Sequence, residues 1–77
     1  MTQWTYLLMM QGELHAEMRV LQVVNNQQVP MLAFHSRRSG NLAAITFIIE
    51  ADEAKATRIQ ALLQRLQPIL RVDCFPF

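Results

Sequence analysis

Cysteine, glycine and proline are scarce in this sequence, and each shortage excludes a class of protein. The chain of 77 residues has 1 cysteine, 2 glycines and 3 prolines. A single cysteine, Cys74, cannot form an internal disulfide, and without a cysteine–histidine cluster the sequence offers no structural zinc site. Few glycines and prolines, together with 52% hydrophobic residues, exclude intrinsic disorder. We therefore expect one folded domain over residues 1–77.

Charge and long apolar runs are scarce as well. Seven basic and six acidic residues give a net charge of +1, which is too little for the basic surface that binds nucleic acid. The longest uncharged stretch, Val20 to Ser36, is interrupted by Asn25-Asn26-Gln27-Gln28, so no run reaches the roughly 18 apolar residues that span a bilayer. No basic segment precedes the first apolar run, and we expect neither a signal peptide nor a membrane partner. The expected location is the cytoplasm.

Hydrophobic residues, in contrast, are abundant for so short a chain. A domain of this size buries only about 60–65% of the surface of its unfolded chain. With 52% hydrophobic residues, either its core is unusually dense or part of its apolar surface is shared with another chain. We favour the shared surface, and the sequence therefore predicts association with a partner.

The spacing of the apolar residues predicts the order strand, helix, strand, strand, helix, strand. Alternation indicates the strands, and recurrence at three and four residues indicates the helices. The predicted elements are a strand over Trp4–Met10, a helix from Glu13 to about Asn26, a strand over Val29–His35, a polar turn over Ser36–Asn41, a strand over Leu42–Glu50, a helix from Asp52 to Pro68 and a strand over Ile69–Phe75.

Boundary residues support these elements. Asn25 and Asn26 tolerate the left-handed conformation that ends a helix, and Asp52 can cap the start of the second helix. Pro30 cannot donate to a ladder of hydrogen bonds, which predicts that its strand lies at a sheet edge. The side chains predicted to face the core are Leu14, Met18, Val20, Leu21 and Val24 of the first helix, Ala43, Ile45, Phe47 and Ile49 of the third strand, Ile59, Leu62, Leu63 and Leu66 of the second helix, and Leu70, Val72 and Cys74 of the last strand.

This order is the split β-α-β pattern of a ferredoxin-like α+β fold. Right-handed crossovers place both helices on one face of a four-stranded antiparallel sheet. The other face would then be open, with a mostly apolar surface and an unpaired edge at the second strand. Its predicted members are Leu42, Ala44, Ile48, Leu32 and Phe34, or the residues that alternate with the last two.

The sequence lacks the residues that known activities of this fold require. The loop after the first strand, Met9 to Glu13, has no arginine to hold a phosphate as an acylphosphatase would, and no Cys-x-x-Cys to hold copper. Tyr6 and Phe47 could stack on RNA bases, but the surroundings are not basic. His15 and His35 have no nucleophile or carboxylate in a convincing relation to them, so no catalytic residue and no metal ligand is predicted.

The first loop is the most informative segment. Gly12, between a strand end and a helix start, leaves backbone N–H groups free that can hold a carboxylate without a basic side chain. A turn made by Gly12 with no ligand is an equally good interpretation.

Four segments carry a resemblance to a known family. These are Gly12-x-Leu14, Arg19-Val20-Leu21-Gln22-Val23-Val24, the apolar third strand, and the leucine-rich run from Leu62 to Val72. Over nearly its whole length the chain resembles an ACT domain, and more closely the small regulatory subunit of acetolactate (acetohydroxyacid) synthase of the isozyme II type.

The resemblance implies a regulator without catalytic residues. Such domains form homodimers side by side through the first helix and second strand, and they activate a separate catalytic subunit in branched-chain amino-acid biosynthesis. Thiamine diphosphate, magnesium and FAD would belong to that catalytic subunit, and this chain would hold no cofactor. A branched-chain amino acid would bind where the first loop of one chain meets the second strand of the other. The implied effector residues are Gln11, Gly12, Glu13, Leu14, Val29, Pro30 and Met31.

Two alternatives remain open. The chain could be a free-standing amino-acid-sensing domain that regulates another enzyme or a transcription system. It could also be an enzyme in its own right, such as an acylphosphatase-like hydrolase.

Overall fold

The computed structural model describes residues 2–11, 16–66 and 69–76, which form four strands and two helices in the predicted order. All the antiparallel pairings expected of a ferredoxin-like sheet are present, with the strands arranged β2-β3-β1-β4. The elements are β1 (Thr2–Gln11), α1 (Ala16–Asn26), β2 (Met31–Ser39), β3 (Leu42–Ala51), α2 (Glu53–Gln64) and β4 (Ile69–Pro76). This confirms the predicted fold class.

Both helices cover the same face of the sheet, because their inward residues share one core with alternate residues of β1 and β3. Tyr6 and Phe47, which stack with ring centroids 4.7 Å apart, lie at its centre. Both rings are fully buried, so neither is available to stack on RNA. The buried apolar members of this core are Tyr6, Leu8, Met10, Ala16, Val20, Val24, Ile45, Phe47, Ile49, Ala51, Ile59 and Leu63.

The first helix presents a narrower face to the core than predicted. Its buried residues are Ala16, Val20 and Val24, whereas Met18 and Leu21 are 58% and 37% exposed. At 3.6 residues per turn, the positions i, i+4 and i+8 follow one side of a helix; Leu21 lies about 100° around the helix from the middle of that side, and Met18 lies about 160° from it, nearly opposite. The prediction that both belong to the core was therefore wrong; Leu14 lies outside the described residues.

The end of α1 also differs in detail. The left-handed residue is Gln28, with φ of 56°, and not one of the two asparagines before it. Its amide donates to the Asn25 carbonyl and the Gln27 amide donates to the Val24 carbonyl, both at 3.1 Å, which satisfies the last carbonyls of the helix.

The second strand is an edge strand, as Pro30 predicted, but it begins and ends later than expected. It runs from Met31 to Ser39, so the predicted polar turn over Ser36–Asn41 is mostly strand. Ser39 pairs with Leu42, which leaves a two-residue turn of Gly40 and Asn41. Gly40 has φ of +58°, the left-handed conformation that lets so short a hairpin close.

Two register shifts explain the remaining errors in the strands. Leu32 has no partner between the pairs Met31–Ile49 and Ala33–Ile48, and Leu70 is the extra residue opposite the step from Met9 to Met10. Both leucines are exposed, so the prediction that Leu70 faces the core was wrong.

The shift at Leu32 also changes the side on which Phe34 lies. Phe34 is directly opposite Phe47, with ring centroids 6.4 Å apart, and so packs on the helix-covered side. Of the two options predicted for this strand, Phe34 on the open face was wrong, and the alternate residues, Ala33 and His35, lie there.

The second helix begins and is oriented as predicted. The carboxylate of Asp52 accepts a hydrogen bond from the Lys55 amide at 2.7 Å, and Ala56, Ile59 and Leu63 are buried. The helix ends at Gln64, ahead of Pro68, which lies outside the described residues. Neither helix in the described ranges is long and apolar enough to cross a membrane.

Candidate functional site at the first helix and the edge strand

The residues implied as an effector site lie at two ends of the molecule. Gln11 is the exposed last residue of β1, and Gly12, Glu13 and Leu14 fall outside the described residues. The other group, residues 29–31, precedes and opens β2, where the carbonyl of Pro30 accepts a hydrogen bond from the Glu50 amide at 3.1 Å.

The register of the sheet measures how far apart these two groups are. Gln11 pairs with Leu42 at one end of β3, and Met31 pairs with Ile49 seven residues further along. At about 3.3 Å per residue this is roughly 23 Å, which is too far for one small ligand to bridge. Within one chain, Gln11 and Met31 therefore do not belong to one small-ligand site.

A groove lies between α1 and the start of β2, and we call it the α1–β2 groove. It has a volume of about 330 Å³. None of the residues that line it is charged, so its chemistry is that of an aliphatic surface with two amide side chains. The lining residues are Met18, Leu21, Gln22, Val24, Asn25, Val29 and Met31.

The groove includes two of the implied effector residues and several that sequence reasoning missed as site residues. Val29 and Met31 were implied, whereas Met18 and Leu21 were assigned to the core. Their spacing is compatible with either role, because a helix that packs on a sheet and on a second partner has two apolar sides. The burial of the core-facing residues of α1 shows which side faces the sheet.

An ion pair joins α1 to the far end of β2. The Arg38 guanidinium donates to the Glu17 carboxylate at 2.9 Å. The pair is partly exposed, and such pairs typically contribute less than about 1 kcal/mol. Its effect is to hold the start of α1 beside β2, which leaves the groove open at the other end of the helix.

The buried titratable groups are structural. The hydroxyl of Tyr6 donates to the Ala56 carbonyl at 2.7 Å, and burial raises the pKa of this hydroxyl far above its usual value, with Cys74 adding to the effect. Burial likewise raises the pKa of the Cys74 thiol, although its hydrogen bond with Tyr6 acts in the opposite direction. A thiol in this state is a poor nucleophile.

No set of three histidine, cysteine or acidic side chains comes together as a metal site in residues 2–11, 16–66 and 69–76. His35 lies on the sheet face that the helices do not cover, and His15 is outside the described residues.

Comparison with known proteins finds similarity in structure only. No protein-family model and no curated protein matches the sequence. Among solved structures, the ACT domain of the GTP pyrophosphokinase of Chlorobium tepidum superposes with a TM-score of 0.85 at 9% identity, covering 96% of this chain and 97% of that one. The chain has the fold of an ACT domain.

Two further structures show the range of proteins in which this ACT fold occurs. An uncharacterised protein, TM1266 of Thermotoga maritima, matches with a TM-score of 0.83 at 15% identity, covering 99% of this chain and 96% of that one. A homoserine dehydrogenase of Thiobacillus denitrificans matches with a TM-score of 0.81 at 10% identity; 97% of this chain corresponds to 17% of that one. The fold thus occurs both as nearly a whole chain and as a small part of an enzyme.

Proposed function

We propose that this chain is a non-catalytic regulatory subunit that acts by contact with a separate catalytic subunit, of the kind found in acetolactate synthase. The observation that carries the proposal is an ACT fold over nearly the whole chain with an uncharged, partly exposed apolar groove at its edge. Such a surface suits a protein partner, because large apolar side chains on a small domain are stabilised when another chain covers them.

The edge geometry supports a side-by-side homodimer as the working unit. If the β2 strands of two copies pair antiparallel, the end of β2 in one copy lies beside the start of β2 in the other. Gln11 and Val29–Met31, which are about 23 Å apart in one chain, would then lie at the same end of the joined sheet, with the two strands β3 and β2 between Gln11 and the partner's β2, or about 14 Å. Pairing of the β2 strands thus brings the two groups closer than a single chain does.

Activation of a catalytic subunit is the first test. The purified chain is mixed with purified acetolactate synthase catalytic subunit, and pyruvate condensation is measured. We expect the rate to increase and the two proteins to elute together from a sizing column. If the rate is unchanged and the proteins elute separately, the proposal is wrong.

Valine binding is a second, separate prediction. We expect weak or absent binding, because Met9 and Gln11 stand where the family loop has an Asn, Asp or Arg and a small residue or proline, and the α1–β2 groove has no charged side chain to hold a carboxylate. Calorimetry should show no saturable heat below about 1 mM valine, which corresponds to a binding free energy weaker than about −4 kcal/mol. Micromolar binding would contradict this expectation without affecting the activation test.

The alternative is an ACT-type sensing domain that regulates a different enzyme or a transcription system. A similar fold occurs within a homoserine dehydrogenase, which supports a different enzyme as the regulated partner. A chain that binds an amino acid tightly but has no effect on acetolactate synthase would favour the alternative.

A further inference from the structure

The helices leave one face of the sheet uncovered, and we call it the open sheet face. Its side chains alternate with those of the core, so the pairing of the strands arranges them in rows across β2, β3, β1 and β4. From one end of the sheet towards the other, three complete rows are Arg37, Ala44, Met9 and Arg71; His35, Thr46, Leu7 and Asp73; and Ala33, Ile48, Thr5 and Phe75.

Each row combines small and large side chains in positions that a two-fold axis would exchange. Such an axis, parallel to the strands and midway between β3 and β1, places β3 over β1 and β2 over β4 of a second copy. Ala44 then faces Met9, and Thr46 faces Leu7. At the outer strands Ala33 faces Phe75, the largest exposed side chain of the three rows. In these three pairs a large side chain meets a small one, as close packing of two sheets requires.

One polar pair on the face agrees with the same axis. His35 and Asp73 occupy the two ends of one row, so each would lie opposite the other in the second copy, twice per pair. Arg37 would approach Arg71, which is bound to Asp73 at 2.8 Å. Because each face carries two arginines against one aspartate, the two faces repel weakly, and salt should strengthen the contact by screening this repulsion.

The size of the face is adequate for a specific interface. The domain measures 36 × 19 Å across its two longest directions, which gives a face on the order of 700 Å². A standard interface buries about 800 Å² on each partner, and two sheets pack about 10 Å apart with their strands nearly aligned. A second copy matches this area, whereas a short peptide would leave most of it uncovered.

We propose that the open sheet face binds the same face of a second copy of this chain, about a two-fold axis parallel to the strands. This contact is separate from the side-by-side pairing at the α1–β2 edge, and the two together would assemble four chains. It goes beyond the proposed function, since a regulatory subunit does not need it.

Thiol cross-linking tests the axis directly. Ala33→Cys and Phe75→Cys are introduced together in a Cys74→Ala background. In sheets packed about 10 Å apart, facing cysteines are too far apart for a disulfide, but a bifunctional maleimide with a span of about 8 Å can join them. Within one chain these positions lie on the two outer strands, three strand spacings or about 14 Å apart, which is too far for this reagent. We expect a covalent dimer on a denaturing gel.

The matched control moves one cysteine along the same strand and the same face. Ser39→Cys with Phe75→Cys, in the same background, separates the partners by six residues or about 20 Å under the proposed axis. We expect at least tenfold slower cross-linking for this control. Equal rates in the two variants, or no cross-linking in either, would overturn the proposal.

A surface variant provides the second measurement. Leu7→Arg should halve the mass of the native chain at a concentration where the larger assembly forms, with an unchanged circular dichroism spectrum. Met18→Glu, in the α1–β2 groove, should leave the cross-linking rate of the Ala33→Cys, Phe75→Cys pair unchanged.

A different result would assign the face to another occupant. Leu7→Arg could leave the mass of the isolated protein unchanged and yet prevent it from eluting together with the catalytic subunit. In that case the open sheet face binds the catalytic subunit, and the proposal is wrong. Activation of the catalytic subunit by the trapped dimer or by Leu7→Arg is measured independently, so failure here leaves the proposed function standing.

Discussion

At the scale of single residues, Tyr6 links the sheet to the second helix. Its ring stacks on Phe47, and its hydroxyl donates to the Ala56 carbonyl inside α2 at 2.7 Å. A hydrogen bond of this kind typically contributes about 1 kcal/mol, in addition to the packing of the ring. One side chain thus contributes both packing and a hydrogen bond between two layers of the fold.

Tyr6 also predicts how stability depends on alkaline pH. Because burial raises its pKa far above the usual value near 10, the folded chain keeps a proton that the unfolded chain loses. The unfolded state then binds fewer protons, so the free energy of unfolding should fall as the pH rises above about 10. Tyr6 is the only tyrosine, and tyrosinate absorbance at 295 nm should therefore appear together with loss of the circular dichroism signal.

The control for this prediction is Tyr6→Phe. This variant should lose about 1–2 kcal/mol at neutral pH and show a weaker dependence on pH above 10. Tyrosinate that appears near pH 10 while the native chain remains folded would show that the hydroxyl is not held as described.

Thr5 is the opposite case, a buried hydroxyl without a described partner. The residue is only 9% exposed, and its oxygen has no hydrogen bond within the part of the chain that the structure describes. Thr5→Val keeps the shape and removes the polar atom, so we expect urea unfolding to show a gain of about 1 kcal/mol. The same substitution should not slow the thiol cross-linking, since Thr5 would face Ile48 of the second copy. A loss of stability would mean that the hydroxyl is hydrogen-bonded after all.

At the scale of helices and strands, local sequence patterns predict some features well, whereas others depend on how the strands pair. The strict alternation of Leu42 to Ile49 and the Asp52 cap depend on neighbours in sequence, and both predictions are confirmed. The exposed positions of Leu32 and Leu70 depend on register shifts against a partner strand, which no local pattern indicates.

The residues of the candidate site likewise divide into those that the sequence predicts and those that depend on the packing of the elements. The start of β2, with Val29 and Met31, could be inferred from sequence resemblance, and it does line the α1–β2 groove. Met18 was missed because an apolar residue at helical spacing can face the core or a second partner equally well. Which of these it faces depends on the orientation of α1 over the sheet.

The hairpin between β2 and β3 gives a prediction at this scale. Gly40 has φ of +58°, and an added Cβ would meet no atom within 4 Å, so Gly40→Ala is strained only by its backbone conformation. We expect Gly40→Ala to lower the free energy of unfolding by about 1–2 kcal/mol in urea titrations. Gly40→Asn should cost less, because asparagine tolerates the left-handed region. Equal stability of the alanine variant would imply that the turn relaxes to another conformation.

At the scale of the whole molecule, the hydrophobic excess of a short chain has a structural explanation. One core accommodates the inward residues, and much of the remainder lies on two exposed surfaces, the α1–β2 groove and the open sheet face. Leu32 and Leu70, at the two register shifts, are exposed as well. We propose that other chains cover the groove and the open sheet face.

The measurement that tests this most directly is the mass of the chain by light scattering at two concentrations, with and without catalytic subunit. We predict a multiple of 8.9 kDa that increases with concentration, and a common peak with the catalytic subunit when both are present. A mass of 8.9 kDa at both concentrations, together with separate elution from the catalytic subunit, would contradict the proposed association.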